Sequence, residues 1–277
     1  MRRVVAAVAV VLVLGGIGAA LAMRGSSNAA PPPTTTVRQL RQFRIVFPEG
    51  FTRTAMAERV ETVAQIAKRE GHRKVKLSRQ AYLAATAKPR VIAGFGAKKL
   101  PLEGFLFPDT YDFDRKSTTA QLVSAQLQEF ASKWKTVNIS YARSKNLTPY
   151  DVLTIASMIE GEVQAPSERR LVSAVIYNRL HDHMALGIDA TLRYGLHIPP
   201  TESLTNSEIH SDNAYNTRFT PGLTPTPINN PGLAALEAAA HPAHVDYLYF
   251  VRKPDHKHHY FTDNAQDFAQ HEAQYGY

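Results

Sequence analysis

The sequence predicts an α+β fold behind an N-terminal membrane helix. Three observations support this class. Apolar residues recur at helical spacing along much of the chain, strand-like apolar and aromatic runs occur near residue 45 and again near residue 250, and no internal repeat is present. Helices are therefore expected to dominate, with a few strands placed apart from them.

Size and composition limit what the folded part can be. The 277 residues, 44% of them hydrophobic and 20% charged, suffice for one sizeable core or two small ones. The chain has no cysteine, which excludes disulfides, thiolate catalysis and cysteine-ligated metals and is in keeping with an exported protein. The net charge of +8 is spread along the chain without a basic block, so an anionic cell envelope is a better match than nucleic acid, which we do not expect as a partner.

The first segment, residues 1–23, predicts a membrane anchor. Arg2 and Arg3 precede a nearly continuous apolar run, and about 20 residues at a rise of 1.5 Å cover the roughly 30 Å of a bilayer's hydrocarbon core. The alternative is a cleaved signal peptide, since Ala20-Leu21-Ala22 has the form of a cleavage site, but the run is longer than a usual signal. We therefore expect a single-pass protein of the cell membrane, with the bulk of the chain on the extracytoplasmic side.

Two folded regions are predicted after a polar, proline-rich spacer at residues 24–42. The small module, residues 43–97, is predicted to contain a strand at 44–47, a turn at 48–50, a helix capped by Thr52 or Thr54 and a helix at 78–86. The larger region, residues 98–277, is predicted to contain an aromatic, turn-rich segment at 102–111, helices at 118–137, 148–163 and 167–182, and strands at 246–251 and 259–261.

One helix of the larger region ends in two carboxylates, Glu160 and Glu162, which flank a glycine. Glu160 follows an apolar run near the helix C-terminus, where the dipole and apolar neighbours both disfavour ionisation. Such a carboxyl tends to stay protonated near neutral pH, as a general acid requires. The glycine would let the chain turn or a ligand approach. The structural alternative is a salt bridge with Arg169 or Arg170.

Other polar segments carry weaker signals. The run from His256 to His259 contains a lysine and lies at a predicted hairpin tip, so we expect no metal site there. Residues 189–191 and 215–217 lie in segments with glycine and proline, for which the sequence predicts irregular structure. Their polar and aromatic side chains are typical of sugar-binding clefts, although turn chemistry alone accounts for the same residue types.

In these residues the chain resembles the YceG-like endolytic murein transglycosylases. The resemblance covers the anchor, the small module and nearly everything from residue 102 onward. Its most specific segments occur in the family's order: LEGFLFPDTY at 102–111, ASMIEGE at 156–162, VIYNRL at 175–180, DATLRYG at 189–195, YNT at 215–217 and AHPAHVDYLYFV at 240–251.

The resemblance implies that Glu160 is the catalytic residue, that the small module is LysM-like and that residues 98–277 form the catalytic domain. The substrate-binding residues expected with it are Glu103, Glu162, Asn178, Arg179, Asp189, Thr191, Tyr194, Tyr215, Asn216 and Thr217. It implies no cofactor and no metal. Its substrate would be peptidoglycan glycan strands, cleaved between N-acetylmuramic acid and N-acetylglucosamine to leave 1,6-anhydro ends, and peptidoglycan synthases are candidate partners.

Three departures from the family pattern stand out. Gly161 replaces a common lysine, Ala190 a common proline, and residues 224–227 a loop richer in proline and glycine. Two alternatives stay open. One is a hydrolytic muramidase with Glu160 as acid and Asp189 as its partner, and the other is a non-catalytic glycan-binding scaffold. Glu160 and Glu162 are unsuited to act as a pair, because positions i and i+2 point to different helix faces.

Overall fold

The computed structural model describes residues 42–70 and 74–276. The predicted membrane helix at 1–23, and all of the spacer except residue 42, lie outside these residues. Within the described part of the chain, no helix has the length and apolar character that a membrane span needs.

The described residues form mixed helical and strand structure. The strands are β1 (Phe43–Val46), β2 (Arg90–Val91), β3 (Lys99–Leu100), β4 (Thr110–Phe113), β5 (Tyr249–Arg252) and β6 (His259–Thr262). The helices are α1 (Arg53–Arg69), α2 (Arg79–Thr86), α3 (Thr119–Trp134), α4 (Ser140–Ser144), α5 (Pro149–Glu162), α6 (Arg169–His181), α7 (Asp189–Leu196), α8 (Asn206–Ile209), α9 (Leu233–Ala240) and α10 (Ala265–Tyr275). The strands pair antiparallel as β1–β4, β2–β3 and β5–β6.

A first hydrophobic core lies between β1, α1, α2 and the start of α3. It buries Met56 and Tyr82 from the small module together with Leu106 and Phe113 from the larger region. β1 pairs with β4 in the register Phe43↔Phe113, so this core draws on both sides of residue 97, where the sequence analysis ends the small module. Burying side chains of this size contributes about 1.5–3 kcal/mol each.

A second core surrounds α5, whose residues 152–159 are all buried. α5 packs against α6, α7 and α9. Its start is the predicted one, because the Thr148 hydroxyl accepts from the Asp151 N–H and Pro149 occupies the first helical position. A helix that is apolar on all sides needs such neighbours, and this burial fixes the position of its last turn.

Several predicted elements differ from the structure. The helix predicted at 118–137 ends at Trp134, and the helix predicted at 167–182 begins at Arg169 after a short 3₁₀ turn. The prediction of irregular structure at residues 189–191 is wrong, because they begin α7. Gly195 lies inside α7, where an added Cβ would come within 2.7 Å of the Cβ of Tyr215. Packing, and not a turn, therefore requires this glycine.

Candidate active site at the end of α5

Glu160 lies in the last turn of α5 and is half-buried. Its Oε2 accepts a hydrogen bond of 3.1 Å from the N–H of Gly232, the residue that precedes α9. Its Oε1 makes no hydrogen bond within the described part of the chain. The carboxyl is thus held by one oxygen, and the other is available to a ligand.

The surroundings of Glu160 favour its neutral form. Burial raises the pKa of this carboxyl, and the negative charge of Glu49 raises the pKa further. The Gly232 hydrogen bond and the positive charge of Arg169 act in the opposite direction, but the net shift of the pKa is upward. The sequence predicts this upward direction of the pKa, and the largest cause is the burial of the carboxyl away from water.

The loop at residues 227–232 forms one side of the site and is fixed on α5. The Ile228 N–H donates to the Ser157 hydroxyl at 3.0 Å, and the Asn229 amide donates to the Ser157 carbonyl at 2.8 Å. Ser157 is fully buried one turn before Glu160. The loop therefore keeps a constant position relative to the carboxyl.

The small module forms a second side of the site through its turn at residues 48–51. The Gly50 N–H donates to the Asn230 carbonyl at 2.9 Å, and the Asn230 N–H donates to the Phe51 carbonyl at 3.0 Å. Gly50 has a φ of +77°, and a side chain there would meet the Cγ of Glu160 at 3.5 Å. The turn thus requires glycine for its backbone conformation, and it lies in ordinary van der Waals contact with the Glu160 side chain.

Glu103 links the small module to the larger region from a buried position. Its side chain accepts hydrogen bonds from the Arg53 N–H at 2.8 Å, the Asn230 amide at 2.7 Å and the Tyr194 hydroxyl at 3.2 Å. Burial raises the pKa of Glu103 to about 7, and these donors oppose the rise. Since the residue is only 6% exposed, its carboxyl faces these internal partners.

Glu162 faces away from Glu160. It accepts from the Ala190 N–H at 3.2 Å and lies 3.9 Å from the Arg252 guanidinium. Burial raises the pKa of Glu162, and the negative charge of Asp189 raises the pKa further. The two glutamates thus have separate partners on separate faces, as their spacing predicts.

Gly161 continues α5 and does not turn the chain, which corrects one of the two roles expected for it. A Cβ at this position would lie 3.1 Å from the Cβ of Ala190 and 3.4 Å from the amide nitrogen of Asn229. Two departures from the family pattern, at residues 161 and 190, therefore meet in space. A small residue at each lets α5 and α7 approach closely beside the site.

The residues of the predicted cleft on α7 and the following loop hold each other in place. The Thr191 and Thr217 hydroxyls lie 2.9 Å apart, and both are buried. The buried Asn216 amide donates to the Ile209 carbonyl at the end of α8 and to the Ser211 carbonyl just after it. These three side chains bind protein groups. They set the shape of one wall of the site, which is formed by α7 and the loop that follows it.

Three other predicted site residues lie on the same wall. The rings of Tyr194 and Tyr215 meet edge to face with their centres 5.2 Å apart. Asp189 pairs with Arg218 at 2.5 Å, and both side chains are partly exposed. The wall thus combines aromatic and charged groups, a mixture that suits carbohydrate binding.

Asn178 and Arg179 lie at the other end of the α5–α6 pair. The Asn178 amide donates to the Val245 and Tyr247 carbonyls at 2.9 Å, and Arg179 donates to the Leu186 carbonyl at 2.8 Å. Asn178 lines an open groove of about 840 Å³ beside Asp151, in the first turn of α5. Nine residues of helix, about 13 Å, separate that turn from Glu160. The structure therefore does not bring Asn178 to the site, whereas Arg179 holds the carbonyls of the segment just before α7.

The expected salt-bridge alternative is not observed in the described part of the chain. Arg170 donates instead to the His241 and Pro242 carbonyls. Five further residues build the site and were not predicted from the sequence, namely Glu49, Ser157, Asn229, Asn230 and Gly232. No local signal marks them: Pro-Glu-Gly and Asn-Asn-Pro-Gly indicate turns, and the serine lies within an apolar helix.

Comparisons with known proteins identify the family. A model of the YceG-like family matches residues 28–274. The endolytic murein transglycosylase of Bacillus subtilis is 37% identical over 158 residues, which cover 56% of this chain and 43% of that protein. The endolytic murein transglycosylase of Streptococcus pneumoniae R6 is 31% identical over 253 residues, which cover 83% of this chain and 44% of that protein.

A solved structure extends the similarity to the fold. The yceG-like protein of Listeria monocytogenes superposes with a TM-score of 0.62 at 28% identity, covering 82% of this chain and 75% of that one. The chain spans less than half the length of the curated relatives it matches. From the match over residues 28–274 and these similarities, the chain belongs to the YceG-like family.

Proposed function

We propose that the chain is an endolytic lytic transglycosylase that cleaves peptidoglycan strands between N-acetylmuramic acid and N-acetylglucosamine. The observation that carries the proposal is Glu160, a half-buried carboxyl with a raised pKa and one unengaged oxygen at the end of a rigid helix. The relatives named endolytic murein transglycosylases supply the substrate class.

In the proposed reaction Glu160 acts first as an acid and then as a base. Its proton passes to the glycosidic oxygen, and the bond from that oxygen to C1 of muramic acid breaks. The resulting Glu160 carboxylate takes the proton of the C6 hydroxyl while that oxygen bonds to C1. The proton returns to Glu160, no water is consumed, and a 1,6-anhydro ring forms. The Gly232 N–H would hold Oε2 throughout, so Oε1 is the proton-carrying atom.

The geometry favours this reaction over the muramidase that pairs Glu160 with Asp189. A hydrolase needs two carboxylates, about 5–5.5 Å apart for retention or about 6.5–9.5 Å apart for inversion. Asp189 is engaged by Arg218, and its charge acts on Glu162. The attacking hydroxyl of the substrate, in contrast, has an effective concentration far above that of a free reactant.

Product analysis in oxygen-18 water tests the reaction. Purified glycan strands digested by the full chain should gain 1,6-anhydromuramic ends, which are one water lighter than reducing ends and carry no label. The uncatalysed strands, incubated in the same water, are the control. Labelled reducing ends as the main product would favour the muramidase, and a lack of any cleavage would favour the glycan-binding scaffold.

We also propose that residues 1–23 stay attached as a single-pass membrane anchor with the catalytic part on the extracytoplasmic side. The support is the length of the apolar run, which matches the hydrocarbon core of a bilayer. Fractionation of cells that produce the full chain should recover it in the membrane with its first residues intact. A soluble envelope form that begins near Met23 would contradict this and identify a signal peptide.

The small module is proposed to be LysM-like and to help hold the glycan strand. Its turn at residues 48–51 borders Glu160, which supports a role in seating the substrate. Peptidoglycan synthases are the candidate partners in the membrane. Cross-linking of the full chain in native membranes tests that partnership, and an absence of synthase adducts would count against it.

A further inference from the structure

Glu49 brings a second carboxylate to Glu160. It lies in the turn of the small module, is exposed, and makes no hydrogen bond within the described part of the chain. Its carboxyl packs against Gly232 so closely that any side chain at residue 232 would collide with it. Glu160 accepts from the N–H of the same glycine. The two carboxylates therefore lie against one residue from different directions.

The backbone next to Glu49 is fixed, although the Glu49 side chain has no hydrogen-bond partner among the described residues. Gly50, the next residue, is bonded to the Asn230 carbonyl and approaches the Cγ of Glu160. Asn230 in turn is held by Glu103 and by the Leu106 N–H at 2.9 Å. The turn thus has little freedom to carry Glu49 away from the site.

Some of the groups that face Glu160 favour its carboxylate form, and others favour its neutral acid form. From α6, Arg169 favours the carboxylate, and so does the Gly232 N–H at the start of α9. On its own helix, Glu162 is directed to Ala190 and Arg252. From the small module, Glu49 favours the neutral acid, as burial does. Glu49 is therefore the charge that counteracts Arg169.

We propose that Glu49 is a positioning residue for the reaction, acting through Glu160: its negative charge keeps Glu160 in the acid form before bond cleavage. The proposal rests on the proposed function, in which Glu160 must donate a proton and then recover one. The same charge assists the second step. Once Glu160 is ionised, repulsion from Glu49 makes its carboxylate a stronger base toward the C6 hydroxyl.

The test compares the full chain with Glu49→Gln, Glu49→Asp and the control Glu58→Gln. Glu58 is an exposed glutamate of the same module, paired with Arg79. Carbon-13 NMR of the glutamate carboxyls gives the titration midpoint of Glu160 without reference to activity. The rate of glycan cleavage is also measured as a function of pH. On the falling limb of this profile, at higher pH, the acid form of Glu160 is lost.

Glu49→Gln is expected to lower the Glu160 midpoint and shift the falling limb to lower pH, each by about 0.5–1 unit. Above that limb the rate should fall about three- to tenfold. Glu49→Asp should retain part of the effect, because it keeps the charge on a shorter side chain. Glu58→Gln should match the unsubstituted chain, and added salt should reduce the difference, since Glu49 is exposed.

An unchanged Glu160 midpoint in Glu49→Gln would overturn the proposal. A shifted midpoint with an unchanged rate profile would also overturn it, because the charge would then have no part in the reaction. A failure of the proposed function is seen separately, in Glu160→Gln that still cleaves at the full rate. The midpoint measurement does not depend on that result.

Discussion

Replacing Glu160 with Gln is expected to lower the rate of glycan cleavage by roughly two to four decades, the usual effect of removing a general acid. The amide has the shape of the carboxyl, and its oxygen still accepts from the Gly232 N–H. It cannot give a proton to the glycosidic oxygen or take one from the C6 hydroxyl. The measurement is initial cleavage of purified strands by equal amounts of each protein, with circular dichroism to confirm the fold.

Glu162→Gln is the matched comparison, because it changes the same chemical group two residues away. Its partners are Ala190 and Arg252, so it should affect the wall of the site more than the proton transfer. Glu160→Gln should also still bind insoluble peptidoglycan, since the walls of the site are intact. Normal cleavage by Glu160→Gln together with loss in Glu162→Gln would move the catalytic assignment to Glu162.

Glu103 should make the stability of the protein depend on pH. Its pKa is about 7 in the folded chain and about 4.5 as the ordinary value. Between these values the folded chain holds a proton that the unfolded chain has released, so rising pH favours unfolding. The contribution of this residue to the free energy of unfolding should fall by about 3 kcal/mol from below pH 4.5 to above pH 7.

Glu103→Gln should remove this pH dependence. The Gln oxygen can accept from Arg53 and Asn230, and its NH₂ can donate to the Tyr194 hydroxyl, so the three partners remain satisfied. Urea unfolding of both proteins at pH 5 and pH 8 gives the change in the free energy of unfolding for each. The difference between the two changes isolates Glu103, because the other titrating groups contribute equally to both. Equal changes in both proteins would show that Glu103 titrates alike in the folded and unfolded states.

Local signals predicted α5 well. Thr148 and Pro149 mark its start, the apolar run marks its burial, and Glu160 follows from the position of a carboxyl at the end of that run. These signals lie within 15 residues of one another. The resemblance to the family then indicated which of the two glutamates to favour.

Contacts between distant parts of the chain could not be predicted in the same way. Pro-Glu-Gly indicates a turn wherever it occurs, and nothing in it specifies Asn230, about 180 positions later, as the residue it meets. Asn178 shows the opposite case. Its motif matches the family, but it lies near the far end of α6 and holds the carbonyls before β5.

The backbone bonds between residues 50–51 and Asn230 also concern how the protein folds. Contacts of such long sequence separation form slowly, because the entropy cost of closing a large loop comes before the contacts can stabilise the chain. A chain made only as far as α8 lacks the loop at residues 227–232, and with it the Gly232 N–H that holds Glu160. The surroundings of Glu160 are thus completed only after residue 232 has been made and has met the turn at residues 48–51.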